Sequence, residues 1–326
     1  MGETHLRNLV GLSGVRVLAV ADPNRRGGRA RAKAFANAEV ALTDIEEAIN
    51  HPGVDAVVIV TPTETHARLI ELAVRPEGRV QRKADRASIS PRPTEWYGSH
   101  KRKAPRSRSV SCAGSIPATP GPSAKIEAGE LGKLETFRAL SRDTYPPSLK
   151  FLLSSGGLFL DMAVHDLDLA RFLVGDVEEV QAWGSVLIDE ALLPKPTTLD
   201  TAVTMLCAFR TASWESLRRP ADPNWGYDIR TEVAGSIGKV VVEARTKNAA
   251  CCSRANSRAS FDHFEKIFQI VLKGLPTCSC RASSRTLQAG RKPSPGPEDA
   301  LESLRLAIAV TKSWKEGKPV KVSEVQ

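Results

Sequence analysis

Apolar and polar positions along the first quarter of the chain follow two rhythms in turn. Gly2 leads straight into a helical stretch, and Val15–Ala21 (VRVLAVA) is a β-branched run closed by the turn formers Asp22-Pro23-Asn24, the pattern of a strand. Arg29–Ala38 is alanine-rich with helical propensity, and Thr43-Asp44-Ile45-Glu46-Glu47 has the form of a capped start to a helix through Ile49. Val54–Val60 (VDAVVIV) is continuously apolar, as expected of a strand covered on both faces. Thr61-Pro62-Thr63 then turns the chain, and His66–Val74 reads as the next helix. Strand, helix, helix, strand, helix at this spacing predicts a Rossmann-like, doubly wound parallel sheet.

The rhythm stops at residue 75. Residues 75–124 hold seven of the 21 prolines, repeated Arg, Lys and Ser, and no sustained apolar period. Periodicity returns at Lys125, with strands predicted over Leu134–Leu140, Val177–Ile188, Thr201–Phe209, Ile229–Val233 and Lys239–Glu243. Residues 251–260 and 267–289 are again patternless, and Pro297–Trp314 reads as an amphipathic helix. The predicted fold class is therefore α/β, with a doubly wound domain over 1–124, aberrant from 75, and a second α/β domain over 125–326. Several strands after one buried helix give that second domain an open, largely antiparallel sheet.

The buried helix lies in Gly156–Phe172, where two glycines open an almost wholly apolar run. Asp161, His165 and Asp168 fall at i, i+4 and i+7 and share one face. Two accounts fit such a stripe. Either it is scaffold, a core histidine satisfied by a carboxylate, or Asp161 orients His165 to handle a proton in a pocket.

Composition changes the picture in two places. The six cysteines, Cys112, Cys207, Cys251, Cys252, Cys278 and Cys280, include no C-x-x-C pair and no histidine cluster, so no metal is expected. With no secretion signal and no apolar run long enough to span a bilayer, a reducing, cytoplasmic setting away from membranes is expected. The net charge of +9 suggests nucleic acid until it is located. Residues 75–124 carry +8 and residues 251–289 carry +4, leaving −3 on the rest of the chain. The basic segment has neither aromatic interleaving nor a recognisable module, so no nucleic-acid partner is expected.

Gly2 and Asp22 stand 20 residues apart. In a dinucleotide-binding unit, the last glycine of G-x-G-x-x-G packs at the helix start. An acid about 20 residues later takes the adenosine ribose hydroxyls. Gly2 fits only as the third glycine, because the first strand and the two glycines that hug the pyrophosphate are not in this sequence. Asp22 favours NAD over NADP.

Three segments together resemble one family. Ala21-Asp22-Pro23-Asn24, then VDAVVIVTPTETHA, then GGLFLDMAVHDLDLARFL are similar to the Gfo/Idh/MocA oxidoreductases, and within them to the inositol dehydrogenases. The resemblance implies a Rossmann domain, a second domain whose open sheet often forms homo-oligomers, and bound NAD(P). The implied reaction is reversible hydride transfer between nicotinamide and a hydroxyl-bearing carbon of a polyol or sugar. By the same resemblance, Asp161 and His165 are the substrate-binding and proton-handling pair, and Asp143 and Tyr227 are further substrate-pocket residues. Thr61, Pro62, Thr63 and His66 resemble the loop lying along the cofactor.

One motif departs from the family. Glu-Lys-Pro is normally found about 25 residues beyond the Thr-Pro turn, its lysine bridging nicotinamide and substrate. Here that place reads Val80-Gln81-Arg82-Lys83-Ala84-Asp85-Arg86. Codons for Arg82–Asp85 (CGN AAR GCN GAY), read one base later, can spell GAA AAG CCG AT, which opens Glu-Lys-Pro-Ile and points to a slipped frame from about residue 75 to 124. The resemblance therefore implies a dehydrogenase impaired by loss of this motif, feebly active or dead as it stands; the alternative is a non-catalytic relative that binds sugar or cofactor.

Overall fold

The computed structural model describes residues 2–24, 40–61, 65–74, 122–142, 157–185, 201–209, 213–217, 228–243 and 297–325. The expected helix over Arg29–Ala38 and the segments 75–121, 251–260 and 267–289 lie outside the described residues. The chain divides into two units, Met1–Ser111 with Leu272–Leu301 and Cys112–Val271 with Glu302–Gln326.

In the first unit, helix α1 (Gly2–Val10) leads to strand β1 (Ala19–Ala21), which pairs in parallel with β2 (Val40–Leu42). Helix α2 (Ile45–Asn50) starts where the capping pattern places it. The Asp44 carboxylate accepts the backbone N–H groups of Glu46 and Glu47 at 2.8 and 3.3 Å, satisfying donors a helix start leaves open. Helix α3 (His66–Val74) follows, and Ile49, Ile59, Leu69 and Ile70 form a small core beneath the two helices.

Val54–Val60 differs from expectation. It buries Val54 and Ile59 but carries no ladder among the described residues, and the first strand is confined to Ala19–Ala21 rather than beginning at Val15. Apolar pattern alone does not make a strand without a neighbour to receive its hydrogen bonds.

The second unit is built on a seven-stranded sheet. Its strands are β3 (Leu134–Arg142), β4 (Val177–Ser185), β5 (Thr201–Phe209), β6 (Ser213–Leu217), β7 (Asp228–Gly235), β8 (Lys239–Glu243) and β9 (Val320–Lys321). The spatial order is β8-β7-β3-β6-β5-β4-β9, and every neighbouring pair is antiparallel except β3 with β6. Helix α4 (Pro122–Glu127) precedes the sheet. One face of the sheet is covered by helix α5 (Val164–Leu173) and by helix α6 (Pro297–Glu316) from Glu302 onward. Alternation sets that face: Phe137 and Ala139 of β3, Val180 and Ala182 of β4, and Met205, Cys207 and Phe209 of β5 point into the core. There they meet Leu167 and Ala170 of α5 and Leu306, Ala307 and Val310 of α6. The Ser313 hydroxyl, fully buried on α6, accepts the Ala182 N–H at 3.1 Å and donates to the Lys318 carbonyl at 2.7 Å, tying helix to strand.

Candidate functional site

In the first unit, Asp22 stands at the carboxyl end of β1. Its N–H donates to the Leu42 carbonyl at 3.1 Å, continuing the parallel register, and its Oδ1 accepts the Asn24 N–H at 2.9 Å. The turn-forming role and the ribose role are therefore compatible in one carboxylate. Gly2 is the first residue of α1, where N–H groups favour an anion. A parallel strand pair, a strand-end carboxylate and this helix start suit the two ends of a dinucleotide's adenosine diphosphate half.

His66 is positioned differently from a group that reaches for a ligand. It is 2% exposed, and its Nε2 lies 2.6 Å from the Thr61 carbonyl. A carbonyl only accepts, so Nε2 carries the proton. The Thr61 and Thr65 hydroxyls meet at 2.6 Å beside it. His66 thus shapes the turn that carries Thr61, and Pro62 and Thr63 in that turn lie outside the described residues.

In the second unit, Gly157 adopts φ +89° and its carbonyl accepts the N–H groups of Leu160 and Asp161. A left-handed φ is readily held only by glycine, so Gly157 launches the helix. Phe159–Ala163 is a π-helical turn, and the α-helical ladder begins at Val164. Such turns insert one extra residue and occur frequently at functional sites. Asp161 sits in the π turn and His165 in the first α turn; both are half-buried and both are engaged in interactions. The Nδ1 atom of His165 is shielded from solvent.

Asp168 separates from that pair. It is buried and accepts the Ser303 hydroxyl of α6 at 2.7 Å. Asp166, which the i, i+4, i+7 pattern passes over, is also buried and accepts the Ser141 hydroxyl of β3 at 2.8 Å. A signal for Ser141 did exist: it is the polar member of the inward set Phe137, Ala139, Ser141. Asp143 and Tyr227 lie outside the described residues. A groove of about 800 Å³ lined by Arg171, Glu179, Arg305 and Lys321, among others, contains none of the residues singled out from sequence. Among the described residues, no cluster of His, Cys, Asp or Glu could hold a metal, and no helix is long and apolar enough to cross a membrane.

With these placements in view, likeness to known proteins becomes decisive. A model for the oxidoreductase family with an NAD-binding Rossmann fold matches residues 1–80, and one for the GFO/IDH/MocA C-terminal domain matches residues 123–241. The chain belongs to the Gfo/Idh/MocA family. It is an NAD-binding oxidoreductase. Over its full length it is 29% identical to myo-inositol 2-dehydrogenase of Thermotoga maritima, covering 96% of that protein. It is also 29% identical to the NAD(+)-dependent scyllo-inositol 2-dehydrogenase of Bacillus subtilis, with 99% of this chain and 93% of the relative aligned. The fold matches a crystal structure of a myo-inositol dehydrogenase from Corynebacterium glutamicum with a TM-score of 0.84, over 98% of this chain and 95% of that one, at 24% identity.

Proposed function

We propose that this chain oxidises a secondary hydroxyl of an inositol-like polyol with NAD, and that Asp161 and His165 do the protein's share of the chemistry. The observation that carries the reading is a family C-terminal domain whose only π turn among the described elements places Asp161 just ahead of His165. NAD, when bound, supplies the hydride acceptor. Gly2 would pack at the start of α1, whose N-terminus favours the pyrophosphate, Asp22 would hold the adenosine ribose, and Thr61 with Pro62 and Thr63 the flank of the cofactor, the turn being set by His66. Asp161 would fix a substrate hydroxyl by accepting its proton in a hydrogen bond. His165 would take the proton of the reacting hydroxyl as its carbon loses hydride, and return it in the reverse direction. Asp143 and Tyr227 complete the polyol contacts in this reading. The domain division at 124/125 is part of it, as are a homo-oligomeric state and a cytoplasmic setting. The family matches, which end at 80 and resume at 123, support a two-domain chain with the change between those residues.

Appearance of NADH fluorescence when the whole chain is given NAD with myo- or scyllo-inositol is the expected result. The segment Val80–Arg86, standing where the family lysine belongs, favours a second reading, a relative that binds without turning over. NADH binding with no oxidation of any inositol would select that second reading.

A further inference from the structure

The π turn leaves a problem that the rest of the unit must solve. At Phe159–Ala163 the ladder carries an extra residue, so the turn ahead does not by itself dictate how the first α turn is rotated. His165 sits in that first turn, and a displacement of about 1 Å at a reacting group can cost roughly a hundredfold in rate.

Asp166, next to His165, is tied to the sheet by a hydrogen bond. Its Oδ1 accepts the Ser141 hydroxyl at 2.8 Å, with both side chains buried and 25 residues apart in the chain. Ser141 occupies the inward end of β3, after Phe137 and Ala139, and Asp143 follows two residues later in sequence. On another side of the helix, Asp168 is tied by the Ser303 hydroxyl to α6 at 2.7 Å. A carboxylate–hydroxyl bond in a buried setting is short and directional, which apolar packing around the same helix is not.

We infer that Ser141 and Asp166 are positioning residues: their hydrogen bond locks the first turn of α5 to the end of β3 and thereby fixes the His165 imidazole. The inference rests on the dehydrogenase reading for its consequence in catalysis, but not for the placement of the ring. Ser141→Ala and Asp166→Ala remove the bond. Asp166→Asn keeps it, because the amide oxygen still accepts the serine proton.

The test uses the full chain labelled at the histidine Cε1 carbons, with the His165 resonance identified among the six histidines by its loss in His165→Gln. One sharp His165 signal is expected in the parent and in Asp166→Asn, and a broadened or doubled one in Ser141→Ala and Asp166→Ala. With NAD and myo-inositol, kcat should fall about tenfold or more in the two alanine variants while KM moves less, and Asp166→Asn should stay near the parent. An unchanged His165 signal in both alanine variants overturns the inference, as does an Asp166→Asn signal as disturbed as that of Asp166→Ala. Should Asp166→Ala fail to fold, Ser141→Ala and Asp166→Asn still decide. Failure of the parent to oxidise any inositol would strike the dehydrogenase reading alone, and the resonance would still decide the anchor.

Discussion

Asp168 accepts the Ser303 hydroxyl at 2.7 Å, and the Arg171 guanidinium reaches that hydroxyl at 3.5 Å and the Asp176 carboxylate at 3.2 Å. Removing the Asp168 carboxylate would leave a buried serine without its acceptor, so Asp168→Ala should lower stability by about 1–3 kcal/mol in urea unfolding. NADH binding should be unchanged by it. His165→Ala should do the reverse, abolishing turnover while costing less stability than the Asp168 change. If His165→Ala proves as destabilising as Asp168→Ala, the histidine belongs to the scaffold. Cys207 gives a separate check on the core. Burial pushes its thiol well above the ordinary range, so the folded chain holds it as the unreactive thiol. The sign follows: the contribution to stability is present below the unfolded-state pKa and lost as pH rises beyond it, because only the unfolded chain then ionises. Peptide mapping after iodoacetamide treatment at mildly alkaline pH should find Cys207 alkylated only once the chain is unfolded. In the proposed reading, Asp22 would carry the cofactor preference. Its carboxylate would repel a 2′-phosphate, so calorimetry should show NAD bound more tightly than NADP and the gap closing in Asp22→Ser.

Elements with a strong local signal were legible and those made by long-range partners were not. Helix α3 and strands β5 and β8 match their sequence expectations because a turn signal bounds each periodic run. Strand β6 escaped notice because Ser-Trp-Glu-Ser-Leu is short and has little alternation; it exists through its pairing with β3 and β5. The two-residue β9 exists only because β4 is there to receive it. The π turn is equally hidden, since an all-round apolar run satisfies helical periods of either pitch. The reverse error, at Val54–Val60, has the same origin: a strand pattern with no paired neighbour among the described residues. Close approach of backbones, too, is invisible in sequence. A Cβ on Gly235 would stand 2.3 Å from the Leu131 carbonyl oxygen and 2.8 Å from that of Lys133. Gly235→Ala should therefore force the start of β3 away from the end of β7, and a loss of at least about 1–3 kcal/mol in thermal or urea unfolding is expected. Unaltered stability would mean that this edge of the sheet gives way freely.

For the molecule as a whole, the instructive quantity is where its charge lies. An excess of +12 falls within residues 75–124 and 251–289, while everything else sums to −3, so the basic character is confined to the segments that lack apolar rhythm. A surface selected to bind polyanions would interleave its cations with folded elements, whereas a shifted reading frame yields composition without period. The family lysine supplies the sharpest test of that difference. Codons for Arg82-Lys83-Ala84-Asp85 (CGN AAR GCN GAY) can spell Glu-Lys-Pro when read one base later, so on the frame account the motif is absent by register and not by substitution. Replacing Arg82-Lys83-Ala84 alone with Glu-Lys-Pro should change turnover little, because its neighbours would still have the wrong pattern. Exchanging residues 75–123 for the one-base-later translation should raise kcat with NAD and myo-inositol well above that of the present chain, and by more than any substitution in α5. It should also remove most of the basic excess in that segment. Equal turnover by the exchanged and present chains would discard the frame account. Robust turnover by the present chain would show in addition that His165, without the family's Glu-Lys-Pro lysine, suffices to move the proton.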